Sequence, residues 1–531
     1  MYINELPSEI ILNIFSYLPQ KDLINGAWHA CILWQELSLS PRLWRNYNYA
    51  KDYKNFSYCY LHLAKINQHV RHIHIPLSAL VACFTFPNIQ WKNLESLHVN
   101  NRVSTYQYLE TVVKKLGFLK HLFVVFEPNT DIRRHLNLLT QLSLVSLDIE
   151  WSGNQYVDSH LISLLRKQPN LKSLTLKGWH SLNDDTIARG LEKSQNIEEL
   201  HLLTSQISNS IVSISVPLYS LTKIIVRSEI FDDSGLRLLA NRASSLRLLD
   251  IRGCVQTTYR GLTYIARHCS LLKSVQFDKF LNEGNSGINS YISTLSECCH
   301  RLTQLQLIRL DTIFEDGLLN LFTSVKFLQS VTLENAEELS NTSLFFAAKH
   351  CMYLTDIYLK KCHMITAYGV IYLAKNCKRL KSLNVLYCNG IKDVYDDNKN
   401  SDSQSFDIPH TSTTICDTST YFVPENDPME CDKSTMGMQD HDEEINESHN
   451  RLNVNDLNCE NHSHLLKLDL TQCSNITTRT VLYLVKMCSD LRELNLDNCF
   501  RSIEHVQELK SKVFMSCTFL KNIHIYPFNI L

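Results

Sequence analysis

The sequence predicts an α/β solenoid: about sixteen strand–helix units stacked into a right-handed horseshoe and headed by a small helical domain. Three observations carry that expectation. The first is a pattern, Leu354-x-x-Ile357-x-Leu359, that returns along most of the chain every 24 to 30 residues. Alternation turns Leu354, Ile357 and Leu359 toward a core and leaves Asp356, Tyr358 and Lys360 on the other face, as in a half-buried strand. The second is the stretch after each strand. Thr366 suits a helix cap, and Val370, Leu373, Ala374 and Cys377 then fall on one helical face at i, i+3, i+4 and i+7. The third is size: 531 residues exceed the usual single core, whereas an array grows lengthwise.

A strand and a helix in roughly 26 residues, with this core, is the signature of a leucine-rich repeat. Taken in order, residues 3–48 come first and read as three short helices. Pro7 and Ser8 open one, with Ile10, Ile14, Phe15 and Leu18 as its apolar stripe, ending near Pro19. Asp22 caps a second, spanning 23–37, and Pro41 opens a third that ends around Trp44. So small a unit cannot bury all its apolar residues internally, so some must cover a partner. Residues 49–69 are a Tyr-rich link and a first cap helix carrying Tyr60, Leu61, Leu63 and Ala64. Repeats fill 70–392, with strands starting at Val70, Leu94, Leu119, Leu144, Leu171, Ile197, Leu221, Leu246, Leu272, Leu302, Leu328, Leu354 and Leu380. They resume in 463–531 at Leu465, Leu491 and Leu520, and Tyr526-Pro527-Phe528 closes the array.

The gap lies in one repeat. Residues 393–462 hold 17 Asp and Glu against 3 Lys and Arg, a net of −14; the whole-chain −2 then leaves +12 for the remainder. With few aliphatics the segment cannot offset its ordering entropy, so a disordered acidic loop on the rim is expected.

Eleven of the 18 cysteines sit at two fixed places in the repeat. Cys269, Cys299, Cys351, Cys377, Cys488 and Cys517 stand three residues before a first leucine; Cys254, Cys362, Cys388, Cys473 and Cys499 stand eight after it. Such positions use a thiol as a small buried hydrophobe, so reduced cysteines are expected. The N-terminus lacks the basic and apolar regions of a signal peptide, and no apolar run reaches membrane-spanning length. A net charge of −2 favours neither nucleic acid nor a membrane surface. No phosphate-loop, nucleophile-elbow, H-E-x-x-H or C-x-x-C motif occurs, and the 22 histidines have no metal spacing. Cys298-Cys299-His300 is the one dense Cys/His cluster, and Cys299 falls in the packing slot. No metal, cofactor or catalytic group is expected.

Leu6-Pro7-x-Glu9, Ile14-Phe15-Ser16-Tyr17-Leu18, Asp22-Leu23, Cys31, Trp34 and Leu43-Trp44 together resemble the F-box, with Ala30 where that family commonly has Val. The cysteine pattern is similar to the cysteine-containing repeats of F-box proteins. The resemblance implies docking of the Skp adaptor of SCF (Skp–cullin–F-box) ubiquitin ligases, and through it cullin and RING subunits, in cytoplasm or nucleus. Leu6, Pro7, Ile10, Ile14, Phe15, Leu18, Leu23, Trp34, Leu43 and Trp44 are the residues expected to do so. The repeats would then hold a target protein for ubiquitylation. A scaffold that binds the adaptor without cullin, or an array sensing a small molecule, are the alternatives.

Strands of such an array line its concave face, so outward residues between core leucines form the natural recognition surface. The basic and aromatic ones are Lys177, Trp179, Lys223, Arg227, Arg252, Phe280, Arg309, Tyr358, Lys360 and Tyr387, interrupted by Glu199, Asp250, Asp278, Glu334 and Asp356. They suggest an acidic or phosphorylated target. Long loops add only roughly 0.6 kcal/mol of closure entropy per doubling. Replacing residues 396–458 with a short Gly/Ser linker should therefore leave the melting temperature nearly unchanged. A large drop in calorimetry would mean that the segment packs on the array.

Overall fold

The computed structural model describes residues 3–526 except 49–61, 87, 183–184, 205–206, 213–217, 278–285, 308–314, 393–462, 501–502 and 518. Through them runs one parallel sheet of seventeen strands, each pairing with the next in chain order. Every expected repeat supplies a strand, and pairing begins two residues after its first core residue: His72–Ile75 after Val70, Asp356–Lys360 after Leu354, Asn522–His524 after Leu520. Helices such as Tyr259–His268 and Ala367–Asn376 cover one face, burying Leu354, Ile357, Leu359, Val370, Leu373 and Ala374 beneath them. The other face is open. The acidic segment 393–462 and Tyr60 and Leu61 of the expected cap helix lie outside the described residues, although 62–66 are helical.

One backbone device repeats from end to end. The residue after each first core position offers a carbonyl that accepts two amides of the next repeat. Arg71 O takes Glu95 N at 2.8 Å and Ser96 N at 2.9 Å, and Arg492 O takes Lys521 N at 2.9 Å and Asn522 N at 3.0 Å. The same bond closes over the inserted segment, where Lys381 O accepts Leu466 N and Lys467 N, both at 2.9 Å. The sheet thus runs on without interruption past the inserted segment.

Seven residues after the first core position the strand breaks in the left-handed region. Gly178, Gly253, Asn335 and Asn498 suit that turn, yet Lys361, Tyr387 and Gln472 adopt it too, at φ near +57°. In five of these seven the next residue is a buried cysteine; after Gly178 it is Trp179 and after Asn335 it is Ala336, both buried as well. Cys254, Cys473 and Cys499 donate their thiols to Val226 O, Val385 O and Leu470 O of the preceding repeat at 3.5, 3.1 and 2.9 Å. Cys269, Cys299 and Cys351 do the same from the other slot at 3.4–3.5 Å. Burial pushes these last three thiols up to about 12, so they stay protonated and inert.

The N-terminal domain differs from expectation in two ways. Its first helix is Ser8–Ser16, with Pro7 as N-cap, and Pro41–Leu43 form a single tight turn. The second helix is broken, however. A short wide-turn segment, Leu23–Ala27, leads to Cys31, whose extended backbone (φ −162°) ends that run and caps a new helix, Ile32–Ser38. The Cys31 sulfur accepts the Trp34 amide at 3.5 Å. The second difference is an extra strand, Asn46–Asn48, which pairs with His72–His74. Arg45 O accepts Arg71 N and His72 N at 2.9 and 3.0 Å, so the helical domain begins the same bonding series as the repeats. On its far side the Gln20 amide bonds Asn46 O and, at 2.9 Å, Asn48 N, covering what would be a free sheet edge.

Between the domain and the first repeat, His62 stands edge-on to Trp28 at 4.9 Å and Trp44 at 4.4 Å. Burial, assisted by nearby Lys65, lowers its pKa from 6.5 to about 3. The unfolded chain therefore takes a proton below pH ~6.5 that the folded chain refuses, so stability is full above that pH and falls as the solution is acidified. His72, His74 and His98, also lowered by burial, act in the same direction. The melting temperature should drop between pH ~6.5 and ~4, and His62→Phe should flatten that drop while changing little at pH ~8. An equal slope in both proteins by calorimetry would mean that His62 is charged when folded.

Candidate adaptor and target surfaces

The helix Ser8–Ser16 divides its residues between two faces. Ile11 and Phe15 turn inward and are buried, Phe15 meeting Trp34 edge-on at 5.2 Å. Pro7 and Ile10 are exposed, Ile14 is half-buried, and Leu18 just beyond the helix is exposed, on the stripe adjoining Ile11. Leu6, Trp34 and Leu43 pack partly buried against the core. Three residues expected at the adaptor surface are elsewhere. Phe15 and Leu23 belong to the domain's own core, and Trp44 is fully buried at the junction, donating its indole N–H to Ser38 O at 2.5 Å. They are spent on folding, so they cannot be anchors for a partner.

Three exposed apolar residues were missed: Ile3, 45% exposed, Tyr17, 81%, and Ile32, 77%. Tyr17 follows the helix as its C-cap, in line with the Ile10–Ile14 stripe. Ile32 opens the new helix after Cys31; a continuous 23–37 helix assigns it the wrong phase. Ile10, Leu18 and Ile32 leave more apolar surface uncovered than a domain this small needs.

On the open face of the sheet the expected recognition residues fare differently. Trp179 is not offered to a partner: it is fully buried, packs edge-on to Trp151 at 5.3 Å and donates to Ile149 O at 3.2 Å. The turn at Gly178 folds the ring back under the sheet end. The cations are already matched. Lys177 meets Glu150 at 3.0 Å, Lys223 meets Glu199 at 3.5 Å and Lys360 meets Glu334 at 2.8 Å, each pair directly opposite in the register. Arg227 and Arg252 were expected to fork onto a target anion. They converge instead on Asp250, at 2.6 and 2.8 Å. Asp250 is itself buried; burial would raise its pKa, but the Arg252 and Arg227 hydrogen bonds outweigh this and hold it below the usual carboxylate range. Tyr358 and Lys360 are half-buried, and Tyr387 is exposed at a strained turn. Phe280 and Arg309 lie outside the described residues. At the N-terminal end of this face His74, His98 and Phe123 stack ring on ring at 4.3 and 3.9 Å, a column visible in the sequence only once the repeats are aligned.

Residues 3–49 match the F-box-like family. Among solved structures the chain is similar to the complex of Rad7 and Elc1 from yeast, at 13% identity, TM-score 0.44, over 73% of this chain and 89% of that one. It is also similar to the leucine-rich repeat-containing protein LegL7 from Legionella pneumophila, at 14% identity, TM-score 0.30, over 59% and 91%. The match and the fold together define a small helical domain of F-box-like type at the head of a repeat array. Residues 3–49 are thus an F-box-like domain, and the array behind them has the strand–helix fold of leucine-rich repeats.

The Asp250 cluster yields a stability test. Asp250→Ala leaves two half-exposed guanidiniums without their shared acceptor and should cost about 2 kcal/mol. Because the Asp250 pKa is depressed, its contribution is present above pH ~4 and lost as the pH falls further. The difference between wild type and variant in urea titrations should therefore shrink toward pH ~3; a constant difference would mean that packing alone is at work.

Proposed function

We propose that the protein is the substrate-recognition subunit of an SCF-type ubiquitin ligase. Its F-box-like domain docks the Skp adaptor, which brings cullin and RING subunits, and the array holds a target protein. The observation that carries this reading is the apolar stripe of Ile10 and Leu18, with Ile32, left uncovered on a domain otherwise bonded into the solenoid. This chain then supplies no acid, base or nucleophile. Catalysis is by proximity, since holding a target lysine beside a charged conjugating enzyme raises its effective concentration. The fourteen described cysteines are all free thiols, which fits the reducing cytoplasm or nucleus.

The test uses residues that do not hold the fold together. Ile10→Asp with Leu18→Asp should weaken adaptor binding by roughly thirtyfold or more, the loss of about 2 kcal/mol common for a central anchor. The melting temperature should be unchanged, and target ubiquitylation in a reconstituted ligase should fall with binding. Adaptor pull-down by the double variant at wild-type strength would remove the ligase reading.

A further inference from the structure

Where the chain passes from helix into strand, the residue before each first core position stands on the rim of the array. Five consecutive repeats place Ser143, Asn170, Asn196, Ser220 and Ser245 there, the small polar residues a tight turn favours. After Leu271 the pattern changes for four repeats, to Arg301, Phe327, Tyr353 and Arg379, all exposed. Phe327 is 53% exposed, and its ring meets Tyr353 at 5.7 Å with a 32° tilt; the Arg379 guanidinium lies 4.7 Å over the Tyr353 ring. Lys326 and Lys378 stand one residue earlier in their repeats, both exposed.

Turn chemistry does not ask for these residues, and neither do the helix ends. Basic side chains complement a helix C-terminus in its last turn, the place of Lys375, whereas Lys378 and Arg379 follow the end of Ala367–Asn376. Unlike the cations of the open face, Arg301, Lys326, Lys378 and Arg379 have no ion-pair partner among the described residues. The excess positive charge of the chain outside 393–462 is thus presented, in part, beside exposed aromatic rings.

We propose that this rim, from Arg301 to Arg379, binds an extended acidic polypeptide segment carrying apolar or aromatic side chains. Carboxylates of such a segment would pair with Lys326, Lys378 and the two arginines, and its apolar side chains would desolvate Phe327 and Tyr353. Single-stranded nucleic acid fits less well. One Tyr353 face is already covered by Arg379 and its ring is tilted 32° from that of Phe327, so the two rings offer no continuous parallel platform for successive bases. The inference rests on reading the array as target-binding and places that target on the rim; it does not depend on the adaptor.

The experiment uses the full chain and a fluorescein-labelled peptide of three Glu-Glu-Tyr-Glu-Leu repeats, followed by fluorescence anisotropy. Controls are the same peptide with Lys for Glu, and oligouridylate. Wild type should bind the acidic peptide in preference to both, more weakly as salt rises. Lys326→Glu with Lys378→Glu and Arg379→Glu should weaken it at least tenfold. Phe327→Ser with Tyr353→Ser, which restores the residue of Ser143, Ser220 and Ser245, should weaken it several-fold, with melting temperature and adaptor pull-down unchanged in both. No preference for the acidic peptide, tighter binding of oligouridylate, or unchanged affinity in the charge-reversed variant would overturn the proposal. So would binding seen only after residues 393–462 are excised, which would assign the rim to the chain's own acidic segment. Peptide binding retained in an Ile10→Asp/Leu18→Asp protein that no longer holds the adaptor would leave this inference standing without it.

Discussion

One carbonyl per repeat, shared by two amides of the next, is what the architecture depends on. An L-x-x-L-x-L strand cannot bury its apolar side alone, and an open parallel sheet has no closure to hold it. The doubly bonded carbonyl fixes each strand's register against its neighbour, and register decides which side chains fall under the helices. Because the bond runs from Arg45 to Arg492, the helical domain is joined to the repeats by the same rule that joins repeats to each other. The insertion is tolerated for the same reason. Lys381 finds its partners in Leu466 and Lys467 regardless of the chain between them.

Much of this was legible in the sequence because the signals were periodic. Leucine spacing located all sixteen repeat strands, and the two cysteine slots were recognised as packing positions, since both depend only on position within a repeat. What escaped was aperiodic or cross-strand. Asn46–Asn48 carries no L-x-x-L-x-L signal, and it becomes a strand only because Tyr47 is buried and Gln20 bonds its edge. The break at Cys31 hid in an apolar run whose period looked continuous, and it rotated Ile32 out of the core.

The candidate surfaces were legible only in part, for an electrostatic reason. A list of outward lysines and arginines looks like an anion-binding face until the opposite residue in register is found. Glu150 beside Lys177 and Glu334 beside Lys360 turn that face into a set of internal pairs. Trp179 failed differently: a Trp after a strand is compatible with either packing or display, and the left-handed Gly178 before it settles the matter by reversing the chain. On the N-terminal domain, residue type marked apolar positions correctly but could not separate Phe15, Leu23 and Trp44, which hold the domain together, from Ile10 and Leu18, which do not.

The strand Asn46–Asn48 makes the molecule a ruler. Parallel strands are spaced by about 4.8 Å, so each repeat adds a step of similar size along the sheet, counted from the helical domain. With that domain hydrogen-bonded in as the zeroth step, and Trp44 and His62 packed in the joint, the described residues tie the origin to the scale. A partner's distance from the helical domain is then encoded by the number of the repeat it touches. Gain or loss of one repeat would shift every later surface by one increment and leave its chemistry intact, so reach and recognition can vary independently in a chain of this kind.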